Sequence, residues 1–125
     1  ISPNRLVYAV DRYHLRAFCH TTTSYRDFVL TRIYEPEEAA VSGEDLPVRW
    51  VSGGNDRAWN NRRELRFRPN PKLPKDVIKT LQRDYPVVRG VLTIVCNDAT
   101  APYIEMKFQR PDFRKRILQW IKMGD

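Results

Sequence analysis

Residues 6–10 form a short apolar run that stops at Asp11-Arg12, and two further runs, 13–20 and 25–33, flank the polar Thr21-Thr22-Thr23-Ser24. Runs of this length bounded by polar connections predict three antiparallel strands. A period of two places Tyr13, Leu15, Ala17 and Cys19 on one face of the second strand and His14, Arg16, Phe18 and His20 on the other. In the third, Arg26, Phe28, Leu30 and Arg32 share a face, opposite Asp27, Val29, Thr31 and Ile33.

The pattern then changes. Residues 35–45 are acidic and contain Pro36 and Gly43, which predicts a surface excursion with a single helical turn at Pro36-Glu37-Glu38. Residues 48–51 are expected to add a strand, and Ser52-Gly53-Gly54-Asn55-Asp56 has the composition of a linker. These signals divide the chain into a first domain at 1–51, a linker at 52–63 and a second domain at 64–125. In the second, Leu65 and Phe67 alternate with charged residues as in a half-buried strand, which the prolines at 69, 71 and 74 end. Val77, Ile78, Leu81 and Tyr85 lie three and four apart, predicting an amphipathic helix over 75–85 with Pro74 at its start. Residues 91–96 read as a strand. Residues 99–109 fit a helix capped by Asn97 or Asp98 and equally a strand alternating at Ile104, Met106 and Phe108. Residues 111–122 carry Phe113, Ile117, Leu118 and Ile121 at helical spacing and predict a docking helix. No internal repeat and no Gly-rich phosphate loop occurs, which argues against nucleotide hydrolysis by the folds built on such loops.

Composition supports a folded chain, because 42% hydrophobic and 11% aromatic residues in 125 suffice for a core. No apolar stretch approaches the roughly 20 residues of a membrane span, and no leader pattern precedes the first strand, so the expected address is the cytoplasm. Cys19 and Cys96 lie in apolar runs without histidine at ligand spacing, which predicts buried thiols and neither a disulfide framework nor a metal site. No cofactor is expected. The net charge of +7 and pI near 9.7 favour an anionic partner.

If the second and third strands pair with like-facing sets, His14, Arg16 and His20 lie across from Arg26 and Arg32, with Phe18 and Phe28 between them. Such a surface suits a ligand carrying phosphates and bases, since guanidinium groups neutralise the first and rings stack on the second. The alternative is a solvated face whose arginines pair with Asp11, Asp27 or the acidic residues 35–38. Catalysis finds little support: Asp27 is the acid on these strands and falls on the opposite face. His14 and His20 are roughly 20 Å apart in an extended strand, too far to share one metal. Trp50 and Trp59 flank the linker and are expected to pack where the two domains meet.

Arg5-Leu6-Val7-Tyr8, then Asp11-Arg12-Tyr13-His14-Leu15-Arg16-Ala17-Phe18-Cys19-His20, then Tyr25-Arg26-Asp27-Phe28-Val29-Leu30-Thr31-Arg32-Ile33 together resemble the WYL domain. That family has an Arg-Trp-Tyr-Leu-like segment followed by Ala-aromatic-Cys and Arg-x-Phe-x-Leu-x-Arg-Ile; Tyr13 and His14 depart from its letters. The His variant resembles the regulators of bacterial anti-phage defence systems. Trp59, Leu65 to Leu73 and Asp84-Tyr85 resemble the start of their C-terminal extension, called WCX. The resemblance implies an α+β chain, a small Sm/SH3-like β-barrel followed by an α/β extension that helps form a homodimer. It also implies a ligand site at Tyr13, His14, Arg16, Arg26, Phe28 and Arg32, nearly the patch that alternation gives with His20 added. The implied effector is a nucleotide or a single-stranded nucleic-acid fragment. Operator DNA is read in such regulators by a helix-turn-helix domain, whose pattern is absent from these residues. The expected role is effector sensing and dimerisation in a bacterial transcriptional regulator, not catalysis; a purely structural dimerisation module and an accessory domain of a nucleic-acid-processing enzyme are the alternatives.

Overall fold

Three consecutive strands, β1 (Ser2–Ala9), β2 (Arg12–Cys19) and β3 (Ser24–Val29), form an antiparallel sheet in the order β1-β2-β3. The computed structural model describes residues 1–37, 49–111 and 116–124. A two-residue turn joins β1 to β2, with Val10 and Asp11 at φ 52° and 62°, the mirror-image turn whose twist matches the strands it connects. The register shifts between Pro3 and Arg5, so Asn4 is the extra residue of a bulge. Its side-chain amide donates to Ser2 O at 2.6 Å and Val51 O at 3.2 Å.

The third apolar run does not stay extended to Ile33. It turns into a 3₁₀ helix at Leu30–Arg32, because in this register residues 32 and 33 would lie opposite the β1–β2 turn and have no ladder to join. Pro36 and Glu37 form no helical turn and Arg49 to Val51 no strand; Glu38 and Val48 lie outside the described residues. A second 3₁₀ turn, Gly53–Asn55, begins at Ser52, whose hydroxyl accepts from Gly54 N at 3.3 Å. The described part of this unit is an open three-stranded sheet and not a closed barrel.

Contacts divide the chain into two units, Ile1–Arg57 and Ala58–Asp125. The residues read as a linker are structured: they hold the Gly53–Asn55 turn, helix α1 (Arg57–Asn60) and the first residues of β4 (Arg62–Pro69). Unit 2 continues with α2 (Lys75–Asp84), β5 (Leu92–Asn97), α3 (Ala101–Phe108) and β6 (Trp120–Lys122). Its strands pair antiparallel in the order β5-β4-β6. Leu65 and Phe67 of β4 and Leu92 of β5 are buried on one face with Leu73, Leu81, Ala101, Phe108 and Trp120. Phe67 stacks on Phe108 with centroids 4.8 Å apart. Asp76 in the first turn of α2 and Arg83 in the last complement its macrodipole.

Two expectations of helix and strand resolve here. Residues 101–108 are helical: Asn97 Oδ1 accepts from Thr100 N at 2.9 Å and its hydroxyl at 2.8 Å, and burial falls at Ala101 and Phe108 while Met106 stays exposed, not at every second residue. Conversely, the chain end is not the expected docking helix. Pro111 bridges Leu118, and β6 pairs Trp120 with Pro69 and Lys122 with Phe67; residues 112–115, with Phe113, lie outside the described residues. Pairing satisfies backbone groups along β4 and delivers the indole of Trp120 to Tyr85 and Phe108, with centroids 5.2 and 5.8 Å away. No described helix is long and apolar enough to cross a membrane.

Candidate nucleic-acid effector site

Among the described residues of unit 1, Ser2, His14, Arg16 and Asp56 are buried polar positions beside Ala17 and Cys19. Arg16 of β2 points away from water and grips Asp56 with two parallel hydrogen bonds, Nε to Oδ2 and Nη2 to Oδ1, both 2.8 Å. Its Nη1 donates to Asp27 Oδ1 at 3.3 Å. Asp27 is there because β2 and β3 pair Arg16 with it directly, and Asp56 because the Gly53–Asn55 turn ends on it, its N–H donating to Gly53 O at 3.1 Å. The fork of a guanidinium matches a carboxylate in this bidentate geometry. Hydrogen bonding to Asp56, with the charges of Asp56 and Asp27, raises the Arg16 pKa above its ordinary value against the opposing cost of burial.

That register overturns the expected single cationic face. The connection from Cys19 to Ser24 pairs His14 with Val29, Leu15 with Phe28, Arg16 with Asp27 and Ala17 with Arg26. Residues directly opposite share a face, so even positions of β2 sit with odd positions of β3. A slip of one residue would exchange the faces, and any connection of four residues imposes this parity. His14 and Arg16 therefore lie on one face, both buried. Tyr13, Arg26 and Phe28 lie on the other. Arg32 lies in the 3₁₀ turn, exposed, and shares no strand face with Arg26. Of the pairings weighed for the arginines, Asp27 is realised at Arg16. The stronger partner, Asp56, lay in residues read as a linker, where a lone sequence gives no cue that a carboxylate folds back.

Around Tyr13 the open face is aromatic. Tyr8 pairs with Tyr13 across β1 and β2 with ring centroids 5.0 Å apart, and Leu6, Tyr8 and Tyr13 are 60%, 62% and 50% exposed. Arg26 is exposed and Phe28 half-buried on the same face. His20 lies just past β2. Its Nε2 is 2.8 Å from the Ser2 hydroxyl, which accepts from Val51 N at 2.9 Å, and its ring meets Phe18 edge-on at 5.1 Å. Trp50 belongs to unit 1, with its indole N–H donating to Pro3 O at 2.9 Å. A cavity of about 620 Å³ lies here, walled by Pro3, Leu15, Leu30, Ile33 and Trp50, with His20 and Glu37 among its polar lining.

Both cysteines are unpaired thiols, Cys19 buried and Cys96 half-buried. Hydrogen bonds from Thr22, then from the Thr21 backbone and the charge of Arg26, pull the Cys19 thiol below its ordinary pKa. Burial pushes Cys96 up. Among the described residues, no group of three or more His, Cys, Asp and Glu is arranged to hold a metal ion.

No family model matches the chain. Curated relatives do. The chain is 30% identical over 104 residues to the DNA-binding transcriptional repressor CapW of Escherichia coli strain KTE188, covering 83% of this chain and 32% of that protein. The repressor of the same name from Pseudomonas aeruginosa is 28% identical over 123 residues, 95% of this chain and 39% of the relative. That from Stenotrophomonas maltophilia is 29% identical over 103 residues, 82% and 32%. The chain thus spans about a third of the length of the curated relatives it matches.

Proposed function

We propose that this chain is the effector-sensing and dimerising part of a WYL-type transcriptional repressor of anti-phage defence, with unit 1 as the WYL domain and unit 2 as its WCX-like extension. The observation that carries the reading is similarity to DNA-binding transcriptional repressors running through both units. Operator DNA is bound by a helix-turn-helix domain outside these residues, in the cytoplasm. The effector is a nucleotide or single-stranded nucleic-acid fragment. It meets the face that exposes Tyr13 and Arg26 beside Phe28, where stacking and phosphate neutralisation are available side by side. His14 and Arg16 act from behind that face, holding β2 in place. A binding role fits better than an enzymatic one because the acids beside Arg16, Asp27 and Asp56, are committed to its guanidinium. Effector binding changes repression only if one arrangement of the homodimer binds it more tightly than the other.

The exposed Leu6 and Tyr8 beside Tyr13 favour a second reading, in which the same face is a structural contact between copies. Titrating the chain with short single-stranded DNA, RNA and nucleotides separates the two. Sensing predicts binding that weakens roughly tenfold or more in Arg26→Ala and declines steeply with salt. Self-association lost in Tyr8→Ala, with no ligand bound at low salt, would establish the contact reading instead.

A further inference from the structure

We propose that the cavity of unit 1 holds a flat nitrogen heterocycle bearing an amino group, of the nucleobase class. This rests on the effector reading above and adds to it the place where the base goes. At about 620 Å³ the space has the size of sites that take small organic ligands. Its chemistry selects the kind. The walls contributed by Leu15, Leu30 and Ile33 would strip water from a phosphate without replacing it, and Glu37 in the same lining would repel its charge. A ring loses little in the same place, and Trp50 offers it an aromatic surface held in position by the bond to Pro3 O.

The polar groups are few and set at defined points. The hydrogen bond that fixes His20 uses Nε2, which leaves Nδ1 for the polar edge of a ring. Glu37 is among the lining residues, and its carboxylate is an acceptor for an exocyclic amino group and a repellent for a carbonyl oxygen at the same point. Adenine, cytosine and guanine carry such an amino group, and uracil does not. The phosphate has a separate place. Pro3, which lines the cavity, pairs with Ala17, and Ala17 pairs with Arg26. Two strand spacings put Arg26 about 10 Å from Pro3 across the sheet, so a nucleotide with its base in the cavity has a guanidinium for its phosphate.

The test is calorimetric titration of the chain with adenosine, cytidine and uridine, and in parallel with the corresponding 5′-monophosphates. Adenosine and cytidine are expected to bind more tightly than uridine, and Glu37→Ala to remove that preference. Trp50→Ala should weaken nucleoside binding roughly 5- to 150-fold, the loss of one stacked base. Leu30→Trp, which fills the cavity from a partly exposed position, should abolish nucleoside binding with the unfolding midpoint unchanged. Monophosphates that bind, lose affinity in Arg26→Ala, and are indifferent to both Trp50→Ala and Leu30→Trp would overturn the cavity assignment and leave the effector reading standing. Absence of binding by nucleosides and monophosphates alike would overturn both.

Discussion

The two units differ in what their described residues bury. Unit 2 has an apolar centre, with eight buried residues from Leu65 to Trp120 among the described residues and partly buried neighbours packed on them. The buried positions of unit 1 include Ser2, His14, Arg16 and Asp56 beside Ala17 and Cys19, while Leu6, Tyr8, Tyr13 and Trp50 face water. A sheet that buries an arginine–carboxylate pair and displays rings beside the exposed Arg26 is arranged for recognition more than for stability, since buried ion pairs contribute little net free energy and exposed aromatics contribute none until covered. Among the described residues, unit 2 has the larger buried apolar cluster and with it the larger hydrophobic stabilisation.

The largest expected effect tests the apolar side of this contrast. Phe67→Ala should destabilise unit 2 by about 4 kcal/mol, the cost of deleting a fully buried ring, read by hydrogen exchange at the amides of β4 and β5; a loss below about 1 kcal/mol would break the comparison. Asp56→Ala tests the polar side. It leaves the Arg16 charge buried without its bidentate partner and should cost about 3 kcal/mol in denaturant unfolding, with Arg16→Met added to Asp56→Leu recovering much of it. If the single and double variants are equally unstable, the cluster does more than neutralise Arg16.

Smaller effects sharpen the contrast. Lys122 and Glu105 are joined at 2.8 Å with side chains 30% and 26% exposed, so Lys122→Ala should cost only about 0.5 kcal/mol in thermal unfolding. The thiols report the two interiors without altering them. In Cys96→Ser and Cys19→Ser chains, the pH midpoint of alkylation should be lower for Cys19 than for Cys96. The sign follows from linkage. A thiol lowered in the fold favours folding above its unfolded pKa and loses that contribution as pH falls through its folded value. One raised in the fold contributes below its unfolded pKa and loses the contribution as pH rises through its folded value. Equal midpoints would erase the distinction.

Much of the fold was legible because alternation and helical spacing are local. The runs around β1, β2, β4, α2 and β5 carry their own period, and turns or prolines bound them. What was not legible depended on partners. Residues 117–121 have helical spacing, yet an open edge on β4 and a slot for Trp120 decided for a strand. The candidate site divided the same way. Phe28 and Arg26 share a face, as their spacing predicts, but the assumed register put His14 and Arg16 on that face, where the fold puts Tyr13 and sets Arg16 against Asp27. The parity of the four-residue connection carried that information. The role of Asp56 did not appear in any local pattern, since glycines beside it read as a flexible passage.

Asp56 also bears on how the protein can be cut. A fragment ending at residue 51, the domain edge that composition suggests, retains Arg16 and deletes the carboxylate that grips it through two bonds. A fragment extended to Arg57, where contacts divide the units, keeps the pair whole. Six more residues are thus the difference between excising unit 1 with its bidentate pair whole and producing a sheet whose central guanidinium keeps only the longer bond to Asp27.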